Sequence, residues 1–172
     1  MEMTMAQMVD GCKRRDGRAQ RALYDATCRG ALGVCMRYAS SRAEAQDWMQ
    51  DGYIKVFEKI GSLKNPDSLT AWVYTIMVNT CVQHCRRQKH EAVVDDLEPL
   101  GGSVDFDPCA RQDLVAAMQQ LSPRQRTVFN LFTVEGYSLN EVAEMLKCSN
   151  VSVRVMLNRS RNKMKEFLRM KN

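Results

Sequence analysis

Apolar positions along this chain recur three and four residues apart, a spacing that predicts helices. The clearest case is SLNEVAEMLKCSNVSVRVMLNRSR, from Ser138 to Arg161. Leu139, Val142, Ala143 and Leu146 form a short core stripe, and Ser138 with Glu141 fits a capping box at its start. The stripe stops at Lys147-Cys148, where Ser149 is placed to cap a second helix. Val153, Leu157, Met164, Phe167 and Leu168 form that helix's inner stripe. At 3.6 residues per turn its opposite face carries Val151, Val155, Asn158, Arg159 and Asn162, flanked by Arg154 and Ser152.

The first half of the chain repeats the pattern. Asp16 is placed to cap a helix running to about Tyr38, with Leu23, Ala26, Thr27 and Val34 near its inner face. Ser41 and Glu44 suggest another capping box. Trp48, Met49, Tyr53, Val56, Phe57 and Ile60 then mark a helix that Gly61 ends. After the polar loop SLKNPDS, Ser62–Ser68, a third helix places Leu69, Trp72, Val73, Ile76, Met77 and Thr80 on one stripe. Arg86, Arg87 and Lys89 close it, where cations suit a helix C-terminus.

Composition divides these helices into two groups. The net charge of +5 over 172 residues is uneven: +5 over residues 1–90, −6 over 91–110, and +6 over 111–172. The acidic stretch holds Pro99, Gly101, Gly102 and Pro108 and lacks helical periodicity, so it reads as a linker. The expected fold class is therefore all-α: two small helical domains, 1–90 and 111–172, joined by a flexible acidic linker. The start of the chain lacks the apolar core of a signal peptide. No apolar run approaches the ~18 residues that suggest a bilayer span. A cytoplasmic protein without membrane insertion is expected. Seven cysteines, an odd number scattered through helical segments, suggest reduced thiols.

A short helix, a tight turn and a second helix form the helix-turn-helix plan, whose second helix enters the DNA major groove. An ordinary αα-hairpin has the same spacing. Charge favours DNA, because Arg154–Lys171 holds seven Lys or Arg against one acid, Glu166. An enzyme is not expected, since there is no nucleophile beside a base and no Gly-rich phosphate loop. Cys81, His84 and Cys85 lack a matching second pair for a tetrahedral metal site. Neither metal nor cofactor is expected.

Three stretches together resemble the sigma factors of bacterial RNA polymerase, specifically the short extracytoplasmic-function class of the sigma-70 family. DWMQDGYIKVF, Asp47–Phe57, is similar to that family's polymerase-clamp-binding helix, D-L-x-Q-E-x-F. LTAWVYTIMVNTCVQHCRRQ, Leu69–Gln88, is similar to its downstream-promoter helix. The stretch from Leu121 to Arg161 is similar to its upstream-promoter domain. The order of the three motifs, spread over nearly the whole chain, makes the resemblance specific. Departures are Gln83 where Asp is frequent, Lys147 where Gly is usual, and Val155-Met156 where Ser-Arg is common. The last puts the promoter sequence beyond carry-over.

The resemblance implies three sets of contacts. Asp47, Gln50, Asp51 and Tyr53 would bind core RNA polymerase. At the downstream element, Asn65 and Ser68 would read a base flipped from the opened strand, and Lys64 would hold phosphate. Trp72, Tyr74, Thr75 and Asn79 would line the strand path, while Arg86 and Arg87 hold backbone. At the upstream element the contacts would come from Ser149, Ser152, Arg154, Val155, Met156, Asn158 and Arg159. Val155 is expected to face outward onto a thymine methyl. The expected partners are core RNA polymerase and promoter DNA, and family members are often held by an anti-sigma factor. The competing reading is a free-standing regulator that binds operator DNA without polymerase. It would need a dimerisation helix or ligand pocket in the N-terminal half, and the sequence suggests neither.

Overall fold

The computed structural model describes residues 3–88 and 116–171. Helices dominate, with no strand among the described residues. The chain divides into two compact units, Met1–Cys81 and Val82–Asn172. The expected linker, 91–110, lies outside the described residues, as do Lys89 and residues 111–115.

The first unit opens with a helix that the periodicity did not announce, α1 (Met5–Lys13), started by a capping box between Thr4 and Gln7. Its end is closed by Arg15, whose φ of 60° lies in the left-handed region. The Asp16 and Arg15 N–H groups reach back to the Gly11 and Cys12 carbonyls at 2.9 and 3.0 Å, which satisfies acceptors that a helix end would otherwise leave open. Asp16 caps α2 (Gly17–Tyr38) by accepting the Arg18 N–H. Ser41 caps α3 (Arg42–Lys59) by accepting the Glu44 N–H. The returning Glu44 carboxylate takes the Ser40 N–H, one residue earlier than a capping box has it. Short 3-10 turns at Ile60–Ser62 and Pro66–Ser68 lead into α4 (Leu69–Gln88).

Two glycines set how closely α4 approaches its neighbours. A Cβ at Gly30 on α2 would overlap the Tyr74 hydroxyl, and one at Gly52 on α3 would overlap the Met77 sulfur. The core between these helices holds Leu23, Ala31, Tyr38, Trp48, Val56, Val73 and Met77, all buried. Burial corrects one inner-face expectation: Ala26 is exposed, and Ala31 and Cys35 lie inside.

In the second unit, residues 116–119 are helical. Next comes α5 (Pro123–Phe129), opened by a Ser122–Gln125 capping box with Pro at its start. A π turn at Asn130–Val134 ends it. The helix pair follows as α6 (Leu139–Leu146) and α7 (Asn150–Lys171). Arg126 is buried at 3% exposure. Its Nε and Nη2 donate to the Met118 and Leu121 carbonyls at 3.0 and 3.1 Å. A guanidinium thereby closes the carbonyls that precede α5. Ser160, also buried, donates to the Met156 and Gln125 carbonyls, and so ties α7 to α5.

Candidate nucleic-acid and partner interfaces

On α3, Asp47, Gln50, Asp51 and Ile54 fall at spacings of three and four, hence on one face. Asp47 and Gln50 are exposed, Asp51 is half-buried, and Ile54 is 57% exposed. The face thus sets an exposed apolar side chain beside three polar ones, a mixture suited to a protein interface. Tyr53 does not belong to it. It lies inside at 4% exposure, its hydroxyl 2.7 Å from the Thr27 hydroxyl and its ring against Tyr24 and Phe57. Two residues on from Asp51, Tyr53 is turned about 200° around the helix. Burial pushes its phenol far above the ordinary range, only partly offset by the Thr27 bond. Tyr53 therefore supports the exposed face from beneath and has no surface to offer a partner.

The loop residues expected to read a base are locally engaged. The Asn65 Oδ1 accepts the Asp67 N–H at 3.0 Å, and the Ser68 hydroxyl donates to the Asn65 carbonyl at 2.7 Å. These bonds build the turn at Pro66–Ser68. Because a backbone donor faces Oδ1, the Asn65 Nδ2 group points the other way, and it has no partner among the described residues. Lys64 is exposed, and Lys13 of α1 braces the loop through the Leu63 carbonyl at 3.5 Å.

Along α4, Trp72 is half-buried while Thr75 and Asn79 are exposed. Their spacing makes one row. Tyr74 leaves that row, because it is turned about 200° from Trp72 and its hydroxyl sits against Gly30. Arg86 is half-buried and Arg87 exposed in the last turn. Cys81 is buried; its hydrogen bond to Cys35 pulls the Cys35 thiol below its ordinary value. No group of three or more His, Cys, Asp or Glu that could hold a metal occurs among the described residues.

The helix pair has the anticipated geometry. Ser138 and Glu141 form the capping box, and its bonds hold the Glu141 carboxyl below the usual carboxylate range. Lys147 adopts the left-handed conformation at φ 50°, ψ 52°, which explains why glycine suits this position. Ser149 accepts the Ser152 N–H at 3.1 Å, and the two hydroxyls lie 2.8 Å apart. Val153, Leu157, Ser160 and Met164 are buried. Arg154 is exposed on the flank of that stripe, with Val155, Met156, Asn158 and Arg159 half-buried.

Val155, expected to be the outward apolar residue, lies on the outward face but is half-buried. Val151 is the more open of the two outward valines, at 66% exposure. Helical side chains lean toward the N-terminus, so Val155 leans over Val151 and Ser152, whereas Val151 leans past the helix start. Two asparagines also enter the site unanticipated. The Asn150 Nδ2 donates to Asn140 on α6 at 2.6 Å, and Arg154 Nε donates to the Asn150 Oδ1 at 2.9 Å. An Asn on each side of the turn was the available signal. Arg161 is committed elsewhere, its guanidinium 5.6 Å from the centre of the Phe132 ring.

Residues 23–91 match the sigma-70 region 2 family and residues 111–164 match sigma-70 region 4. Among full-length relatives, the RNA polymerase sigma factor CarQ of Myxococcus xanthus is 30% identical over 162 residues. That alignment covers 90% of this chain and 92% of the relative. The RNA polymerase sigma-H factor of Pseudomonas aeruginosa is 28% identical over 171 residues, covering 90% and 89%. A similar fold occurs in the sigma factor RpoE from Bartonella quintana, solved in complex with the anti-sigma factor NepR. The TM-score is 0.51 at 22% identity, covering 84% of this chain and 92% of that one.

Proposed function

The chain belongs to the extracytoplasmic-function class of sigma-70 RNA polymerase sigma factors, and from that premise we propose how its two units divide the work of initiation. A sigma factor binds core RNA polymerase and directs it to promoters. The observation that carries the assignment is the succession of a region 2 match and a region 4 match along one chain. A free-standing operator-binding regulator would have no use for the first. The protein acts in the cytoplasm by binding and positioning, and makes or breaks no bond itself.

The proposed polymerase contact is the α3 face of Asp47, Gln50, Asp51 and Ile54. Its acidic groups suit a basic partner surface, and Ile54 supplies apolar area to bury. The same face is the natural target for an anti-sigma partner. The unit of α6 and α7 reads the upstream element, with α7 in the major groove. Arg154 and Arg159 approach DNA from the reading face, and Lys163 and Lys165 add the salt-dependent phosphate attraction common to all sequences.

The α4 side serves the downstream element. Trp72, Thr75 and Asn79 offer one row along which an unpaired strand can run, while Arg86 and Arg87 attract its backbone. Base capture falls to the Asn65 loop. A flipped base forfeits a few kcal/mol of stacking and pairing, so a waiting donor must offset part of that cost. The Asn65 Nδ2 group is such a donor, held in place because its partner oxygen is fixed by the Asp67 N–H. The expected domain limits, 1–90 and 111–172 around an acidic linker, complete the proposal. The −6 linker would suit a basic channel that otherwise carries nucleic acid.

Reconstitution tests this reading. The purified chain added to core polymerase should produce defined run-off transcripts from a promoter library, and core alone should not. DNA binding by the chain alone with equal selectivity, and no effect of core, would favour the operator-binding reading.

A further inference from the structure

The reading face of α7 has an internal brace. Asn140 of α6 holds the Asn150 amide through Nδ2, and Asn150 in turn holds Arg154 through Oδ1. Both ends of the Asn150 amide are thereby used, each by a partner of the correct polarity. Arg154 has five N–H donors in a rigid fork. With Nε occupied, the remaining donors are the terminal Nη1 and Nη2 groups. These have no partner among the described residues, on an exposed side chain. A forked pair of donors matches guanine, whose O6 and N7 acceptors lie side by side in the major groove.

Val151 lies three residues before Arg154 and hence next to it on the helix surface. It is an apolar side chain left 66% exposed in the first turn of the helix, the part that reaches base edges in helix-turn-helix docking. Exposing a β-branched apolar residue there gains the free protein nothing. The thymine methyl is the only apolar mark in the major groove. We propose that Arg154, braced by Asn150 and Asn140, reads guanine end-on and that Val151 reads a thymine methyl on a neighbouring base pair. Together these contacts give the upstream element its core preference.

This inference rests on the promoter-reading role of α7 and goes further by naming which residues choose which bases. Phosphate contacts from Lys163 and Lys165 would bind every sequence alike. The brace also makes a prediction that charge alone does not. Loss of Asn150 should blur the choice of guanine while leaving the arginine's charge, and most of the affinity, in place.

The test selects upstream elements from a randomised duplex pool with the reconstituted holoenzyme, then changes single groups on the best site. Replacing the critical thymine by uracil removes only the methyl group. This should weaken the parent about fourfold, the worth of one buried carbon. Val151→Ser should bind both duplexes equally, and Val151→Thr, which keeps a methyl, should recover the difference. Replacing the neighbouring guanine by 7-deazaguanine removes N7 and should cost the parent about tenfold. Asn150→Ala should lose most of that discrimination, and Arg154→Lys nearly all of it. Methyl sensitivity retained by Val151→Ser, or an Arg154→Lys loss equal on all sequences, overturns the inference while leaving promoter reading intact. A parent holoenzyme that selects no upstream sequence overturns both.

Discussion

Asn65 carries two roles that one substitution can separate. Its Oδ1 accepts the Asp67 N–H at 3.0 Å and so builds the turn before α4, while its Nδ2 group remains free for a base. Asn65→Asp keeps an oxygen for the Asp67 N–H and removes the amide donor. Asn65→Ala removes both. A capping side chain of this kind is worth about 1 kcal/mol, so Asn65→Ala should lower stability by about that much. Asn65→Asp should stay within about 0.5 kcal/mol of the parent. Function should order differently. Losing the donor forfeits about 1 kcal/mol, and a carboxylate in its place repels the phosphate-rich strand. A total near 1.5–3 kcal/mol implies roughly a 10- to 100-fold fall in open complexes. The assay compares run-off transcription on a duplex promoter with the same promoter pre-melted at its downstream element, beside urea denaturation of each variant. Asn65→Asp should be stable, deficient on duplex, and only partly restored by pre-melting, because the captured base still lacks its donor. Parental duplex activity from Asn65→Asp would refute base capture at this residue.

Other substitutions probe the scaffold. Lys147→Gly relieves a left-handed residue that costs an L-amino acid about 1–2 kcal/mol. Set against glycine's entropy, it should stabilise the chain by about 0.5–1 kcal/mol in urea titration. Arg126→Met strands the Met118 and Leu121 carbonyls and should destabilise the second unit by about 3 kcal/mol in the same titration. Tyr53 keeps its proton in the fold because burial raises its phenol value. Above the ordinary phenol pKa of about 10 the unfolded chain alone releases it. Stability should therefore fall as pH rises past that point, and the denaturation midpoints of Tyr53→Phe should fall less steeply over the same range.

What the sequence disclosed follows from how strongly each element marks its own ends. The helix pair at 138–171 was legible because a capping box, an apolar stripe and a serine cap coincide. The start and end of α2 were legible from Asp16 and the stripe to Tyr38. By contrast, α1 escaped because Gly11 reads as a helix breaker, although it is buried within the helix. Tyr53 was misplaced because the resemblance put it beside Asp51, whereas its spacing from Met49 and Val56 assigns it to the core. Tyr74 was misplaced for the same reason, and its environment depends on Gly30, forty-four residues earlier. The Asn140–Asn150–Arg154 brace was hidden because it depends on where the turn brings α6 against α7. The order of three motifs conveyed the family, and neither composition nor helix count would have done so.

The central claim is that this chain is a polymerase subunit whose α3 face makes the contact. The most direct measurement is a titration of fluorescently labelled chain with core RNA polymerase. Asp47 is the best site to perturb, since it is exposed and makes no hydrogen bond among the described residues; Asp51→Arg beside it is the second. Charge reversal at a complementary interface costs several kcal/mol. The parent should bind saturably, and Asp47→Arg and Asp51→Arg, with unchanged helix content, should bind at least about 100-fold more weakly. A parent that fails to bind core polymerase, or two folded variants that bind as the parent does, would contradict the account.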